Sequence, residues 1–209
     1  MVSRRIAACQ ANTAEAISLA KELKDMIALA TTLYLGGILA FHQRDPVEVE
    51  RLASELIELS ARYNFAFWLP GANVLRGWAR SVSGDTSEGI SWIERGVEDY
   101  RASGSTAGMP LWLAVKAEAL CLADRGSEAL EVIAEAEAIA ERFEIGCSYA
   151  ELKRLRGVSL AALGADESRI EASFRAAIRI AREQKAVSLE KRAEANYAEY
   201  HARKGAAET

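Results

Sequence analysis

The chain repeats itself every forty residues, and that period constrains the fold more than any other feature. Leu75-Arg76-Gly77 returns as Leu155-Arg156-Gly157, and each glycine is followed seven residues later by another, Gly84 and Gly164. Halving the separation aligns positions 37, 77, 117 and 157, which read Gly, Gly, Ala, Gly. Positions 35, 75, 115 and 155 alongside them read Leu, Leu, Val, Leu, and Pro70 is matched by Pro110. A period of this length means that each repeat is one supersecondary unit that cannot bury its apolar face alone and stacks on its neighbours. A chain of 209 residues then holds about five units.

The unit is a helical hairpin. Alanine fills 40 of the 209 positions and proline only 3, a balance that favours long, closely packed helices over strands. Apolar residues recur at helical spacing, as in Ile90, Ile93, Val97 and Tyr100, and the pattern breaks twice per period. Ser83-Gly84-Asp85 ends one helix and Ser103-Gly104 the next, while Asp45 with Pro46 marks a helix start by an N-cap oxygen and a ring that needs no N–H. These signals place helices near 14–24, 26–43, 46–63, 68–82, 87–103, 109–124, 127–144, 147–163, 167–183 and 186–203. The small column Gly37, Gly77, Ala117 and Gly157 lets hairpin helices approach closely, and Gly89 with Gly96, Ala129 with Ala136, and Ala177 supply matching small positions on the second helices. No linker interrupts the pattern, so the expectation is an all-α protein: a right-handed α-solenoid of about five hairpins in a single repeat domain, residues 1–209, with a core at 14–203 and a flexible tail at 204–209.

Several function classes find no support. Cys9, Cys121 and Cys147 are far apart, form no C-x-x-C pair and leave one thiol over, which fits a reducing, cytoplasmic setting, with Cys121 and Cys147 expected to be buried. His42 and His201 have no second ligand at helical spacing, so neither a metal nor another cofactor is expected. Met1 to Cys9 opens like a leader but lacks a continuous apolar region, and the uncharged run from Met26 to Phe41 is shorter than the roughly 20 residues a span needs, so it reads as a fully buried helix rather than a membrane segment. Gly157-Val158-Ser159-Leu160-Ala161 has a faint hydrolase-elbow look, yet Ser159 sits mid-helix and no histidine accompanies it. No catalytic constellation emerges, so the chain is not expected to be an enzyme. A net charge of −4 and a pI near 5.4 disfavour direct nucleic-acid binding.

The spacing of Gly77, Gly89 and Gly96, and of Ala117, Ala129 and Ala136, resembles the tetratricopeptide repeat, whose usual length is shorter than this period. The order of Leu75-Arg76-Gly77-Trp78-Ala79, Glu88-Gly89-Ile90, Gly96 to Gly104, Ala172 to Ile178 and Lys185 to Arg192 is similar to the C-terminal repeat region of large bacterial signalling proteins. Those proteins carry an adenylate or guanylate cyclase or a winged-helix domain ahead of a STAND-type ATPase. The chain has no phosphate-binding G-x-x-x-x-G-K-[ST] loop, cyclase domain or winged helix, so only the repeat portion is implied, with a regulatory role.

Two groups are candidate partner-binding residues. Positions 36, 76, 116 and 156 read Gly, Arg, Lys, Arg, and Arg80, Lys153 and Arg154 lie within a turn of that column. In a stack of repeats Arg76, Lys116 and Arg156 become a ladder suited to an extended acidic peptide; a solvated face paired with glutamates is the competing reading. Trp68, Trp78, Trp92 and Trp112, with Tyr34 and Phe41, are candidate anchors or core, with Trp78 the one expected to reach the groove. The expected function is a non-catalytic protein-interaction scaffold for a protein or peptide partner, or else a small-molecule sensor with its ligand in the groove. An uncapped end of the stack is expected to let two copies associate.

Overall fold

The computed structural model describes the backbone of residues 2–207 and the side chains of residues 8–206. Among them the chain forms ten α-helices and no strand: α1 (Val2–Glu22), α2 (Met26–Gln43), α3 (Pro46–Tyr63), α4 (Leu69–Val82), α5 (Thr86–Ala102), α6 (Met109–Leu122), α7 (Gly126–Arg142), α8 (Tyr149–Ala162), α9 (Glu167–Glu183) and α10 (Val187–Ala207). The expected all-α hairpin-repeat class is therefore the class the chain adopts. Interior helix boundaries fall within a few residues of those read from capping and periodicity. The ends differ: α1 begins well before residue 14, and the segment expected to be a flexible tail is helical as far as Ala207, with 208 and 209 outside the described residues. The side chains of residues 1–7, in the stretch weighed as a leader, also lie outside them.

The junctions repeat with a regularity the sequence conceals. Among the described residues a left-handed backbone occurs at Lys24, Arg44, Asn64, Gly84, Gly104, Asp124, Glu144, Gly164 and Lys185, one at each connection and every twentieth residue until a single insertion before the last. At most of them the following N–H reaches back to the fifth residue before it, as in Asp25 to Ala20 at 3.0 Å, Asp85 to Arg80 at 3.0 Å and Ala165 to Leu160 at 3.0 Å. That bond closes the last turn and satisfies a carbonyl the helix leaves unpaired. Asp25 and Asp45 then cap the next helix through their carboxylates, Asp25 on the N–H of Ile27 and Ala28 and Asp45 on that of Glu48.

The chain divides into two compact units, residues 1–100 and 101–209, with the division near the end of α5. In the first unit α2 packs against α1, α3 and α4, and α3 packs against α4. The closest approach joins α4 to α5. A Cβ at Gly77 would lie 2.5 Å from the Gly89 carbonyl oxygen, and one at Gly96 would lie 2.5 Å from that of Pro70. Backbone there meets backbone, so only hydrogen fits. In the second unit α8 is central, with α6 and α10 on either side of it and α7 and α9 packed against it as well. Leu160, Ile170 and Phe174 form part of its core, with Tyr197 and Tyr200 of α10 against them.

Helix α2, with 18 residues and a mean hydropathy of 1.3, is among the described residues the one long and apolar enough to cross a membrane by length and composition. The expectation of full burial holds on one side only: Leu29, Leu33, Gly37 and Phe41 are buried, whereas Ile27 and Leu35 are 60% and 58% exposed. On the same helix, burial and the neighbouring Tyr100 push the Tyr34 phenol up to about 12 from its ordinary value of 10.0. A raised folded-state pKa means that the stability Tyr34 contributes is complete below pH 10.0 and is lost as the pH climbs through about 12. Titration of tyrosinate absorbance should accordingly show a late-ionising tyrosine that Tyr34→Phe removes; an unchanged curve would refute the assignment.

Candidate functional site

Charged side chains are rare inside helical stacks because desolvation opposes them, and the second unit buries three on facing helices, with a fourth, Arg192, half-buried against them. Glu118 comes from α6, Glu151 and Arg154 from α8, and Arg192 from α10; Glu118 and Glu151 are 8% exposed and Arg154 6%. Arg154 grips Glu151 with two parallel bonds, Nε to Oε2 at 3.0 Å and Nη2 to Oε1 at 2.6 Å, and its Nη1 donates to Asn196 Oδ1 of α10 at 2.6 Å. Arg192 reaches Glu151 at 2.8 Å and Glu118 at 3.3 Å. Burial pulls the Arg154 pKa down, but the Glu151 and Glu118 carboxylates more than offset it and hold the guanidinium charged. Two acids and two bases cancel, and the bonds tie α8 to itself and to both α6 and α10, while Arg192 and Glu118 join α10 directly to α6.

Beside this network the same three helices border a cleft of about 430 Å³. Val158, Ala161 and Ala162 of α8 give it an apolar side, while Asn196, Glu199 and Arg203 of α10 give it a polar one. Cys121 also borders it, with its thiol 3.2 Å from Ser159 Oγ. Burial raises the Cys121 pKa, so the group stays a thiol and is a poor nucleophile. The arrangement can bind and orient a ligand.

The basic column lies elsewhere. Arg76 of α4 meets Glu50 of α3 at 3.2 Å and stacks 4.7 Å above the Trp92 ring of α5, and Arg80 meets Glu50 and Glu88, each at 3.3 Å. Arg156 and Lys153 of α8 converge on Glu137 of α7 at 2.6 and 3.0 Å. These cations turn toward second helices of the hairpins and are matched there by glutamates; Lys116 is half-buried on α6. Trp78 does not reach a groove: it is fully buried, with the Phe41 ring edge-on at 4.9 Å and the Arg44 guanidinium 4.7 Å over it. Trp112 is buried as well, while Trp68 and Trp92 are half-exposed. Cys147, expected to be buried, is exposed on the turn before α8, and Cys9 is exposed on α1. Within the small column, a Cβ at Gly37 would meet Leu75 Cδ1 at 3.0 Å and one at Gly157 the Phe174 ring at 2.9 Å, a side chain in each case rather than backbone.

Sequence reasoning noted Arg154 only as a neighbour of the basic column and missed Glu118, Glu151, Arg192 and Asn196. A signal was present. Positions 34, 74, 114 and 154 read Tyr, Val, Ala, Arg, and 38, 78, 118 and 158 read Ile, Trp, Glu, Val, so Arg154 and Glu118 each break an otherwise uncharged column.

These features define a helical-hairpin repeat protein with a preformed polar face, and comparison with known proteins agrees on the fold. No family model matches the sequence. An uncharacterized protein of Rhizobium meliloti (strain 1021) is 28% identical over 166 residues, covering 78% of this chain. The chain spans only 16% of that relative's length. Among solved structures, Bacillus thuringiensis PlcR in complex with the peptide PapR7 and DNA matches with a TM-score of 0.65 and 18% identity, over 98% of this chain and 71% of that one. The last comparison corrects one expectation. Net charge disfavoured direct nucleic-acid binding, yet a protein of this fold is found on DNA. The physical reason is that −4 is an average over 209 residues and does not report how charge is distributed over the surface.

Proposed function

We propose that this chain is a non-catalytic, peptide-binding repeat module that holds a segment of a protein partner on the α6–α8–α10 face of its second unit. In this reading it is the repeat portion of a larger cytoplasmic bacterial regulator of signalling or transcription. The observation that carries the reading is the ion network of buried Glu118, Glu151 and Arg154 with half-buried Arg192, which ties three helices together. A preformed face spends little binding energy on ordering itself. The likeness to PlcR, which was solved with a peptide, supports the peptide class. The similarity to repeat regions of cyclase-type and winged-helix regulators supports the regulatory role.

The test is selection from a phage-displayed random dodecapeptide library, followed by amide chemical-shift mapping with the enriched peptide. Shifts concentrated on α6, α8 and α10 are the expected result, and a triple Arg76→Gln, Lys116→Gln, Arg156→Gln variant should bind within about twofold of the parent, because Arg76 and Arg156 are turned to glutamates of the second helices. An empty selection, or affinity that collapses in the triple variant, would overturn the reading. A labelled DNA duplex run alongside decides the remaining alternative: tight, salt-steep binding without peptide would replace a peptide module by a nucleic-acid one.

A further inference from the structure

The tightest hairpin contact is made by a short set of positions. Pro70, Val74, Gly77 and Ser81 of α4 face Gly89, Ile93 and Gly96 of α5, with a Cβ at Gly77 standing 2.5 Å from the Gly89 carbonyl oxygen and one at Gly96 standing 2.5 Å from that of Pro70. Three periods and the one inserted residue later, the α4 set falls on Lys191, Ala195, Ala198 and Ala202 of α10, and all four are exposed. Two periods earlier, Gly89 and Gly96 fall on Cys9 and Ala16 of α1, which are exposed too. Among the described residues, α10 thus holds the first-helix half of a hairpin contact open to solvent, and α1 the second-helix half. Larger side chains follow the same division: Leu19 and Leu23 on that face of α1 are 52% and 69% exposed, and Val187 at the start of α10 is 44% exposed.

We infer that α10 of one copy receives α1 of a second copy, completing between chains the contact that α4 and α5 make within one. The register follows from the repeat. Setting Ala198 opposite Cys9, as Gly77 is opposite Gly89, brings Val187 between Leu19 and Leu23 and removes apolar surface from water on both helices. Small residues at Ala195, Ala198, Ala202, Cys9 and Ala16 let the two backbones approach. Charge agrees with the pairing: Lys191 and Glu15 are exposed, have no ion pair among the described residues, and come within one turn of each other. The joined surfaces are unlike, so a pair of copies still offers one free α10 and one free α1, and association proceeds as an open head-to-tail series.

In sedimentation equilibrium the weight-average mass of the full chain should climb with concentration past twice the 22.7 kDa of one copy. Ala198→Arg puts a charged side chain on the α10 half, and Leu19→Arg does the same on the α1 half; each variant alone should stay at the mass of one chain. Mixed, they bring one intact α1 and one intact α10, and a one-to-one pair should form, a recovery that misfolded variants would not give. Ala198→Cys in a Cys147→Ser background reads the register. Oxidised with diamide, its new thiol should join Cys9 of another copy, identified as a cross-linked peptide by mass spectrometry. A single-chain mass at every concentration would overturn the inference and leave both faces to other chains. No pair from the mixed variants, or a cross-link of Cys9 to Cys9 in place of the expected one, would overturn it as well.

Discussion

Gly77→Ala will destabilise the first unit by about 3 kcal/mol, although alanine is the better helix former by about 1 kcal/mol. The added Cβ would stand 2.5 Å from the Gly89 carbonyl oxygen and 2.8 Å from the Ile93 nitrogen, both main-chain atoms of α5 that move only if the helix moves. Gly37→Ala is the control in the same column. Its Cβ meets only Leu75 Cδ1 at 3.0 Å, the end of a flexible side chain, so the propensity gain offsets the crowding and the net change should stay within about 0.5 kcal/mol. Urea unfolding followed by tryptophan fluorescence reads the difference, because Trp68, Trp78 and Trp92 all lie in the first unit. A Gly77→Ala protein with the parent's midpoint would show that the α4–α5 contact is looser than described.

Arg154→Met is expected to cost the second unit about 3–5 kcal/mol, the range for removing one side of a buried ion pair. Methionine replaces the volume, so the loss reports charge rather than a cavity. Glu118 and Glu151 would remain at 8% exposure with Arg192 as their remaining cation in the network, and Asn196 would lose the donor that orients it. Adding Glu151→Gln to Arg154→Met should recover part of the loss, because the stranded charge goes with it; a double-mutant cycle on denaturation free energies measures that coupling. Additive losses would mean that the two residues do not act as a pair. The exposed pair Arg179–Glu183, at 2.9 Å with both side chains more than half exposed, is the contrasting case, where Arg179→Met should change stability by no more than about 0.5 kcal/mol.

Much of the fold was legible because local physics sets helix starts and stops. Asp45 before Pro46 and Gly84 before Asp85 mark junctions that any helical register would respect, and the observed boundaries follow them. The network of charges across α6, α8 and α10 was not legible. The Arg76, Lys116 and Arg156 column is regular in sequence, yet regularity does not say which way a side chain turns, and Glu50 and Glu137 on neighbouring second helices draw Arg76 and Arg156 away from the first-helix layer. Trp78 likewise looked like a groove residue because it adjoins Gly77; the close approach that Gly77 permits helps to bury it.

Glycine and alanine at a fixed interval, with capping aspartates between apolar stripes, determined by themselves that this chain becomes hairpins of paired helices, since backbone contact and helix termination are decided by residues near in sequence. Tertiary structure alone decided two other things. It imposed a left-handed turn every twentieth residue even where Lys24, Arg44, Asn64, Asp124, Glu144 and Lys185 stand instead of glycine, because stacking fixes the angle at which each helix must leave the last. It also gathered Glu118, Glu151, Arg154, Arg192 and Asn196 from three helices into one network. Charges 74 positions apart, as Glu118 and Arg192 are, meet only after the helices between them have packed.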